Sequence, residues 1–127
     1  MGTFTVDLQV LGPSGRKAVG VQALVDTGAT HTLLPRNLLV ELGIDPTERV
    51  PFQLADERTV EYQVGEARIR LDGRERTTVV VFGPDDATPL LGATTLELFN
   101  MAVDPMRRSL FPVPGLLKEA RPTYQPT

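Results

Sequence analysis

Short apolar segments separated by turn residues are the feature that most limits how this chain can fold. Glycine and proline, 11 of each among 127 residues, divide the sequence into short stretches. Within them, as in residues 4–10 and 17–25, apolar residues alternate with polar ones or are β-branched. Alternation with a period of two is typical of strands that bury one face. The pattern predicts an all-β fold class, mostly β with one or two short helices.

Two hairpins are predicted in the middle of the chain. Residues 50–54 and 59–64 are the arms of the first, and residues 67–71 and 77–82 are the arms of the second. Asp72-Gly73 follows the first arm of the second hairpin, and Asp-Gly is a strong signal for a tight hairpin turn. Each hairpin is expected to contribute two antiparallel strands.

The sequence predicts two short helices within a single domain. Leucine spacing in residues 35–42, followed by Gly43, predicts one short helix, and residues 93–101 predict another. Short strands at Val103 and at residues 109–113 are expected to complete the fold. We expect one domain over residues 1–113 and a Pro-containing C-terminal tail over residues 114–127.

The composition argues against several classes of function. Thirteen Lys and Arg against 16 Asp and Glu give a net charge of −3, with both signs scattered and no basic stripe, so we expect no nucleic-acid partner. With no cysteine and a single histidine, we expect neither a metal site nor a cofactor. The sequence has no long apolar run and no signal-peptide pattern, so we expect no membrane partner and a cytoplasmic location.

Asp26 is the strongest candidate for a chemical role. It follows Leu24-Val25 and precedes Thr27-Gly28, so an apolar strand delivers a carboxylate into a turn where glycine permits close backbone approach. Burying a charged carboxylate is unfavourable unless it is paired. Two such aspartates that share one proton satisfy this condition, one acting as base and the other as acid. The tripeptide alone also fits an ordinary turn, because it arises by chance in about a few per cent of such chains.

A second motif changes this interpretation. The second motif is Pro89-Leu90-Leu91-Gly92, which precedes a predicted short helix. Together with residues 24–29, it resembles the two signatures of retroviral-type, single-lobed aspartic proteases in order and separation. Residues 103–105 resemble the closing segment of their bacterial relatives. The resemblance covers roughly residues 4–113. It implies a single-lobed retropepsin-like acid-protease barrel, active as a two-fold dimer, with residues 50–64 as its flap.

The resemblance also implies roles for individual positions. Asp26 matches the catalytic carboxylate, Thr27 the threonine that braces the dimer axis, and Gly28 the active-site loop position whose backbone approaches the substrate. Gly92 matches the glycine that lets the second motif cross close beneath this loop. The positions matched to substrate binding are Ala29, Thr30, His31, the flap-tip residues Ala55 and Asp56, and Leu90. His31 is equally consistent with a surface or partly buried histidine in a turn.

Two positions depart from the family pattern. The predicted flap tip, residues 55–58, contains no glycine. Because a two-residue turn would place a non-glycine residue at positive φ, we expect a wider turn there. Ala93 stands where retroviral members carry a structural arginine, so ion pairs that brace their dimers are not expected here.

A single Asp-Thr-Gly motif means that the second catalytic carboxylate must come from a second copy of the chain. The expected function is therefore an aspartic endopeptidase acting on peptide or protein substrates as a homodimer, with one Asp26 from each protomer activating a water. The first alternative is a catalytically weak or inactive dimeric peptide-binding or assembly module with the same fold. The second is a small β-barrel binding domain in which Asp26 is structural.

Overall fold

A computed structural model describes residues 3–115 and residue 117, and this part of the chain is mostly β. Its elements, in chain order, are β1 (Thr5–Leu11), β2 (Ala18–Val25), β3 (Thr32–Pro35), α1 (Arg36–Glu41), β4 (Glu48–Gln53), β5 (Thr59–Leu71), β6 (Arg74–Gly83), β7 (Leu90–Leu91), α2 (Ala93–Leu98), β8 (Met101–Asp104) and β9 (Ser109–Pro112). The expectation of a mostly β fold with short helices is confirmed.

Seven of the described strands form one sheet, in the order β1-β2-β7-β3-β6-β5-β4. An additional antiparallel pairing between β1 and β5, in which Val10 lies opposite Ile69, closes the sheet on itself. β4 remains outside this ring and pairs with the first half of β5. β8 and β9 form a separate two-stranded sheet. The β4–β5 hairpin therefore projects from a closed body, as the flap of a single-lobed protease would.

β5 corrects the sequence-based interpretation. Residues 59–64 and 67–71 were expected to belong to two hairpins, but they are one strand of 13 residues. Gly65 lies between the two segments that were expected to be separate strands. A Cβ at Gly65 would lie 2.9 Å from the carbonyl oxygen of Asp45 and 3.1 Å from the Phe82 ring. Here glycine marks a close approach to neighbouring groups rather than the end of the strand.

The turns and helices follow the sequence more closely. Asp72 and Gly73 both have positive φ, 53° and 77°, as the predicted tight turn requires. α1 falls inside the predicted helix, with Pro35 as its N-cap residue. α2 is shorter than predicted because it ends at Leu98 and Asn100, with φ 53°, leaves the helical conformation before β8 begins at Met101. β3 was not predicted as a strand.

The core fills the inside of the closed sheet and the space between the sheet and the helices. The largest fully buried side chains include Phe99, Leu34, Leu39, Ile69 and Leu91. Burying a side chain of this size contributes about 1.5–3 kcal/mol. Residues 116 and 118–127 of the predicted tail lie outside the described residues, so the domain boundary stays a prediction. None of the described helices has the length and apolar character needed to cross a membrane.

Candidate active site

Asp26 lies immediately after β2, where the short strand β7 is inserted between β2 and β3. β7 pairs in parallel with β2, and its Leu90 lies opposite Leu33 of β3 in an antiparallel pair. The backbone N–H of Asp26 donates to the carbonyl oxygen of Leu91 at 3.1 Å. The loop of residues 26–31, called the catalytic loop below after the role expected for Asp26, connects β2 and β3, the two strands that flank the second sequence motif.

Hydrogen bonds within the catalytic loop orient the Asp26 carboxylate. The Gly28 N–H donates to Asp26 Oδ1 at 3.0 Å, and the Ala29 N–H donates to the Asp26 carbonyl oxygen at 3.1 Å. A Cβ at Gly28 would lie 3.2 Å from the same Oδ1. The carboxylate of Asp26, a half-buried residue, is therefore held against the backbone of a turn that crowds any side chain at position 28.

The segment after β7 crosses close to the catalytic loop. The N–H groups of Ala93 and Thr94 donate to the carbonyl oxygens of Ala29 and Thr30 at 2.8 and 3.0 Å. A Cβ at Gly92 would lie 2.5 Å from the carbonyl carbon and oxygen of His31, closer than real Cβ atoms approach backbone. The close crossing expected at Gly92 is confirmed, and it excludes every residue larger than glycine at this position.

Three buried threonines support this crossing from the other side. Thr32, Thr95 and Thr78 are 0%, 0% and 3% exposed. The Gly92 N–H donates to Thr32 Oγ1 at 3.1 Å, Thr32 Oγ1 lies 2.6 Å from Thr95 Oγ1, and Thr95 Oγ1 lies 2.9 Å from Thr78 Oγ1. Sequence reasoning missed these residues because a threonine within a strand or helix gives no signal of its hydroxyl's partner.

A cleft of about 550 Å³ separates the catalytic loop from the flap. Its lining is Gly28, Ala29, Thr30, His31, Leu33, Val50, Pro51, Phe52, Gln53, Leu54, Tyr62, Val81 and Leu90. Five of the predicted site residues therefore meet at one cleft: Gly28, Ala29, Thr30, His31 and Leu90. The lining contains no Asp, Glu, Lys or Arg side chain, and most of it is apolar. This composition suits extended peptide with apolar side chains.

The two flap-tip residues predicted to bind substrate do not line the cleft. Ala55 and Asp56 are exposed and are not part of the cleft lining. Asp56 instead accepts a hydrogen bond from Arg58 Nε at 2.6 Å, in a pair whose side chains are 54% and 71% exposed. The row of cleft-facing residues along β4 continues only to Leu54, which lies before the tip. A substrate role for Ala55 and Asp56 therefore stays a prediction with no contact in this conformation.

The flap tip is the wider turn that the missing glycine predicted. The Glu57 N–H donates to the Leu54 carbonyl at 2.9 Å, and the Leu54 N–H donates to the Arg58 carbonyl at 2.8 Å. This is a three-residue loop whose last residue, Glu57, has φ 69°. The wider turn is confirmed, but it still places a non-glycine residue in the left-handed region.

Aromatic residues of the flap were missed by the sequence analysis although they line the cleft. Val50, Phe52 and Leu54 alternate along the strand and its end, and Tyr62 lies opposite Val50 on β5. The Phe52 ring lies 5.6 Å from the His31 imidazole and 6.2 Å from the Tyr62 ring, centre to centre. Period-two alternation could have found the β4 residues, but the sequence did not indicate which face turns inward.

Thr27 points to a different surface from that of the cleft. It is exposed and borders a groove of about 210 Å³ with Ala93, Leu96, Glu97, Met101, Ala102 and Val103. Apart from Glu97 and Thr27, this lining is apolar. Thr27 therefore lies at an accessible apolar surface beside the catalytic loop.

The described ionisable groups outside the site form no competing centre. In the described part of the chain, no group of three His, Asp or Glu side chains is placed to hold a metal ion. The clearest electrostatic perturbation lies on the β5–β6 hairpin, where hydrogen bonds from Arg70 and Arg68 hold the pKa of Glu75 below its ordinary value. This exposed ion-pair cluster is a surface feature of the hairpin.

A closed sheet that carries an Asp-Thr-Gly loop beneath a hairpin flap defines the retropepsin-like class of fold. The profile of the family described as "gag-polyprotein putative aspartyl protease" matches residues 16–97, more than half of the 127 residues. The chain belongs to this family of aspartyl proteases. No curated protein sequence matches the chain significantly.

Solved structures agree with this assignment at the level of the fold. The retropepsin-like aspartic protease from Rickettsia conorii matches at 24% identity and a TM-score of 0.56, over 81% of this chain and 77% of that one. The simian foamy virus (mac) protease matches at 20% identity and 0.54, over 72% and 90% of the two chains. The retroviral protease-like domain of Ddi1 from Leishmania major matches at 16% and 0.56, over 87% and 88%. The predicted retropepsin-like fold, with a bacterial neighbour among these structures, is confirmed.

Proposed function

We propose that this chain is an aspartic endopeptidase in which two Asp26 carboxylates, one from each protomer, activate a water molecule. The observation that supports this most directly is the position of Asp26. Its carboxylate is oriented by the Gly28 N–H in a loop that borders an apolar cleft under a flap. Membership of an aspartyl protease family makes peptide hydrolysis the chemistry that this arrangement suits best.

The proposed reaction needs two carboxylates that carry one proton between them. The charged Asp26 takes a proton from the water as the water oxygen bonds to the scissile carbonyl carbon. The neutral Asp26 gives its proton to the carbonyl oxygen, which produces a diol at that carbon. The C–N bond then breaks as the first carboxyl gives its new proton to the departing nitrogen and the second recovers a proton from a diol hydroxyl. The products are a carboxylic acid and an amine, and the dyad returns to its starting state.

A homodimer is part of this proposal because one chain supplies one such carboxylate. Thr27, next to Asp26, is exposed beside the apolar groove formed with Leu96, Met101 and Val103. A two-fold contact there would bury this groove and bring the two catalytic loops together. The dyad would then titrate as a coupled pair.

The test is cleavage of a peptide library by purified wild-type protein and by Asp26→Asn. We expect products whose cleavage sites are flanked by apolar side chains, and no products from Asp26→Asn. Asp86→Asn, an exposed loop substitution, is the matched control and should cleave like wild type. Equal activity of Asp26→Asn and wild type would remove Asp26 from the mechanism.

A peptide-binding module is the second candidate function. The likeness to the retroviral protease-like domain of Ddi1 shows the fold as a domain of another protein. The flap-tip residues Asp56 and Arg58 form an ion pair with each other. Under this alternative, wild type and Asp26→Asn would bind the same peptides without cleaving them. Mass spectrometry of the bound peptides distinguishes the two candidates.

A further inference from the structure

The three buried threonines form one continuous hydrogen-bonded chain. Thr32 accepts from the Gly92 N–H and has Thr95 as its hydroxyl neighbour, while Thr95 also lies within hydrogen-bond distance of Thr78. Thr78 Oγ1 donates to the Val79 carbonyl at 3.5 Å, a long contact. Every hydroxyl proton finds an acceptor in one order only: Thr32 donates to Thr95, Thr95 to Thr78, and Thr78 to Val79. We call this set the threonine network.

The threonine network connects segments that are distant in sequence. Thr32 begins β3 directly after the catalytic loop, Thr95 lies in α2, and Thr78 lies in β6. Gly92, whose N–H enters the network, is followed by the two residues whose N–H groups bond the carbonyls of Ala29 and Thr30. The crossing segment is therefore fixed on one side to the catalytic loop and on the other to the network.

Stability alone does not explain why all three positions are polar. The Gly92 N–H is a backbone group and needs an acceptor, which Thr32 supplies, whereas the hydrogen bond between Thr95 and Thr78 joins two side chains. Replacing both partners of such a bond with apolar groups of the same shape can be nearly neutral, and valine has nearly the shape of threonine. A hydrogen-bonded network supplies what packed valines lack, namely fixed distances and directions between the groups it joins. Here the joined groups are the Gly92 N–H of the crossing segment and hydroxyls from β3, α2 and β6.

We propose that the threonine network positions the catalytic loop, with Thr95 as its central positioning residue. The path is short: Thr95 bonds Thr32, Thr32 bonds Gly92, and the adjacent Ala93 N–H bonds Ala29, whose own N–H bonds the Asp26 carbonyl. The effect on catalysis rests on the proposed peptidase function. The effect on the geometry of the catalytic loop does not.

Thr95→Val tests the positioning effect without any activity assay, since it keeps the shape and removes the hydroxyl. We expect the amides of Gly92, Ala93 and Thr94 to exchange hydrogen roughly ten- to a hundredfold faster, beyond any change in globally exchanging amides, because losing a buried hydrogen bond weakens local closure. Thr95→Ser, which keeps the hydroxyl, should restore slow exchange. Ile69→Val removes a methyl group from a fully buried position outside the network and serves as the control.

The positioning role is overturned if exchange at these three amides rises no more in Thr95→Val than in Ile69→Val. If Thr95→Val fails to fold, Thr78→Val breaks the far end of the network while leaving the Thr32–Thr95 bond, and the same criterion applies with a smaller expected change.

A second experiment tests the effect on catalysis by measuring kcat and KM separately. We expect Thr95→Val to lower kcat by at least about tenfold with little change in KM, and Thr95→Ser to recover most of it, because misplacing a catalytic group affects the chemical step more than binding. Faster exchange with unchanged kcat would overturn the catalytic part of the proposal. An inactive wild-type protein would count against the peptidase function instead, while the exchange result would still decide the positioning of the loop.

Discussion

The imidazole of His31 and the ring of Phe52 meet edge-on, with centres 5.6 Å apart and planes 82° to each other. His31 belongs to the catalytic loop and Phe52 to the flap strand β4, so this contact joins the two walls of the cleft. β4 pairs only with β5 among the described strands. The flap therefore depends on side-chain contacts such as this one for its position over the loop.

Phe52→Ala should loosen the flap. An edge-to-face aromatic pair contributes about 0.5–1.5 kcal/mol beyond burial, so we expect roughly two- to tenfold faster hydrogen exchange in β4 and a higher KM for peptides. Glu61→Ala, an exposed position on the opposite arm, is the control.

Bound peptide inhibitor should slow exchange in residues 50–58 of wild type, because lids order on substrate binding. Unchanged exchange there with inhibitor bound would contradict the flap assignment.

Asp26→Asn should abolish cleavage while leaving the fold intact. Asn has nearly the same shape and can still accept from the Gly28 N–H, but it cannot exchange a proton with water. We expect kcat to fall by at least about 10²–10⁴-fold, the usual contribution of an acid–base group, which puts cleavage below detection in the peptide-library assay, with a thermal midpoint close to that of wild type. Circular dichroism and initial rates check both halves. A large loss of stability would indicate that the carboxylate has a structural role.

Thr27→Ala should weaken self-association. If Thr27 lies at the two-fold axis, removing its hydroxyl costs about 1–3 kcal/mol, or roughly five- to a hundredfold in the dimer dissociation constant. Thr88, exposed in a loop, is a suitable control residue, whereas Thr32 is not because it is fully buried and hydrogen-bonded. Sedimentation at several concentrations gives the constants. Equal values for Thr27→Ala and Thr88→Ala would place the axis elsewhere.

Glu57→Asn should stabilise the flap tip. Glu57 has φ 69°, and a left-handed conformation costs most L-residues about 1–2 kcal/mol, while asparagine adopts it more readily. We expect a gain below about 1 kcal/mol in unfolding free energy, seen as slower exchange at residues 54–58. Glu48→Asn, in the extended part of β4, should not show the gain. A loss of stability in Glu57→Asn would mean that the Glu57 side chain makes a contribution of its own.

The parts of the fold that sequence predicted are those with local signals. Alternation located most strands, and the Asp72-Gly73 turn follows from residues that tolerate positive φ. β3 was missed because it has four residues and is defined by parallel pairing with the distant β6. No local pattern specifies such a pairing, since the strand exists only because its partners are in place.

The same division holds at the site. The Asp26 loop and the Gly92 crossing carry sequence motifs, so both could be located before the structure. Phe52 and Tyr62 lie in strands that the sequence predicted, but their place at the cleft could not be predicted, because strand register decides which face of a hairpin turns inward. Asp56 was expected at the cleft, but its carboxylate bonds Arg58 two residues away, a local partner that the tip sequence offered equally well.

Ala29→Ser should move the acidic limb of the pH–rate profile to lower pH. The Ala29 N–H bonds the Asp26 main-chain carbonyl, and its own carbonyl is held by Ala93, so position 29 is fixed in the turn whose Gly28 N–H bonds the Asp26 carboxylate. Alanine offers no side-chain donor there, whereas a serine hydroxyl can donate to the charged carboxylate. A donor to the charged form favours it over the protonated form. The dyad would then keep its singly protonated, active state to a lower pH, and activity would persist further into acid. Wild type, without this donor, should be most active from mildly acidic to near-neutral pH.

The measurement is kcat/KM against pH for wild type, Ala29→Ser and Ala29→Cys on one peptide, with the cysteine variant adding similar bulk but only a weak donor. An acidic limb that stays in place or moves upward in a folded Ala29→Ser protein would show that position 29 does not set the acidity of the site.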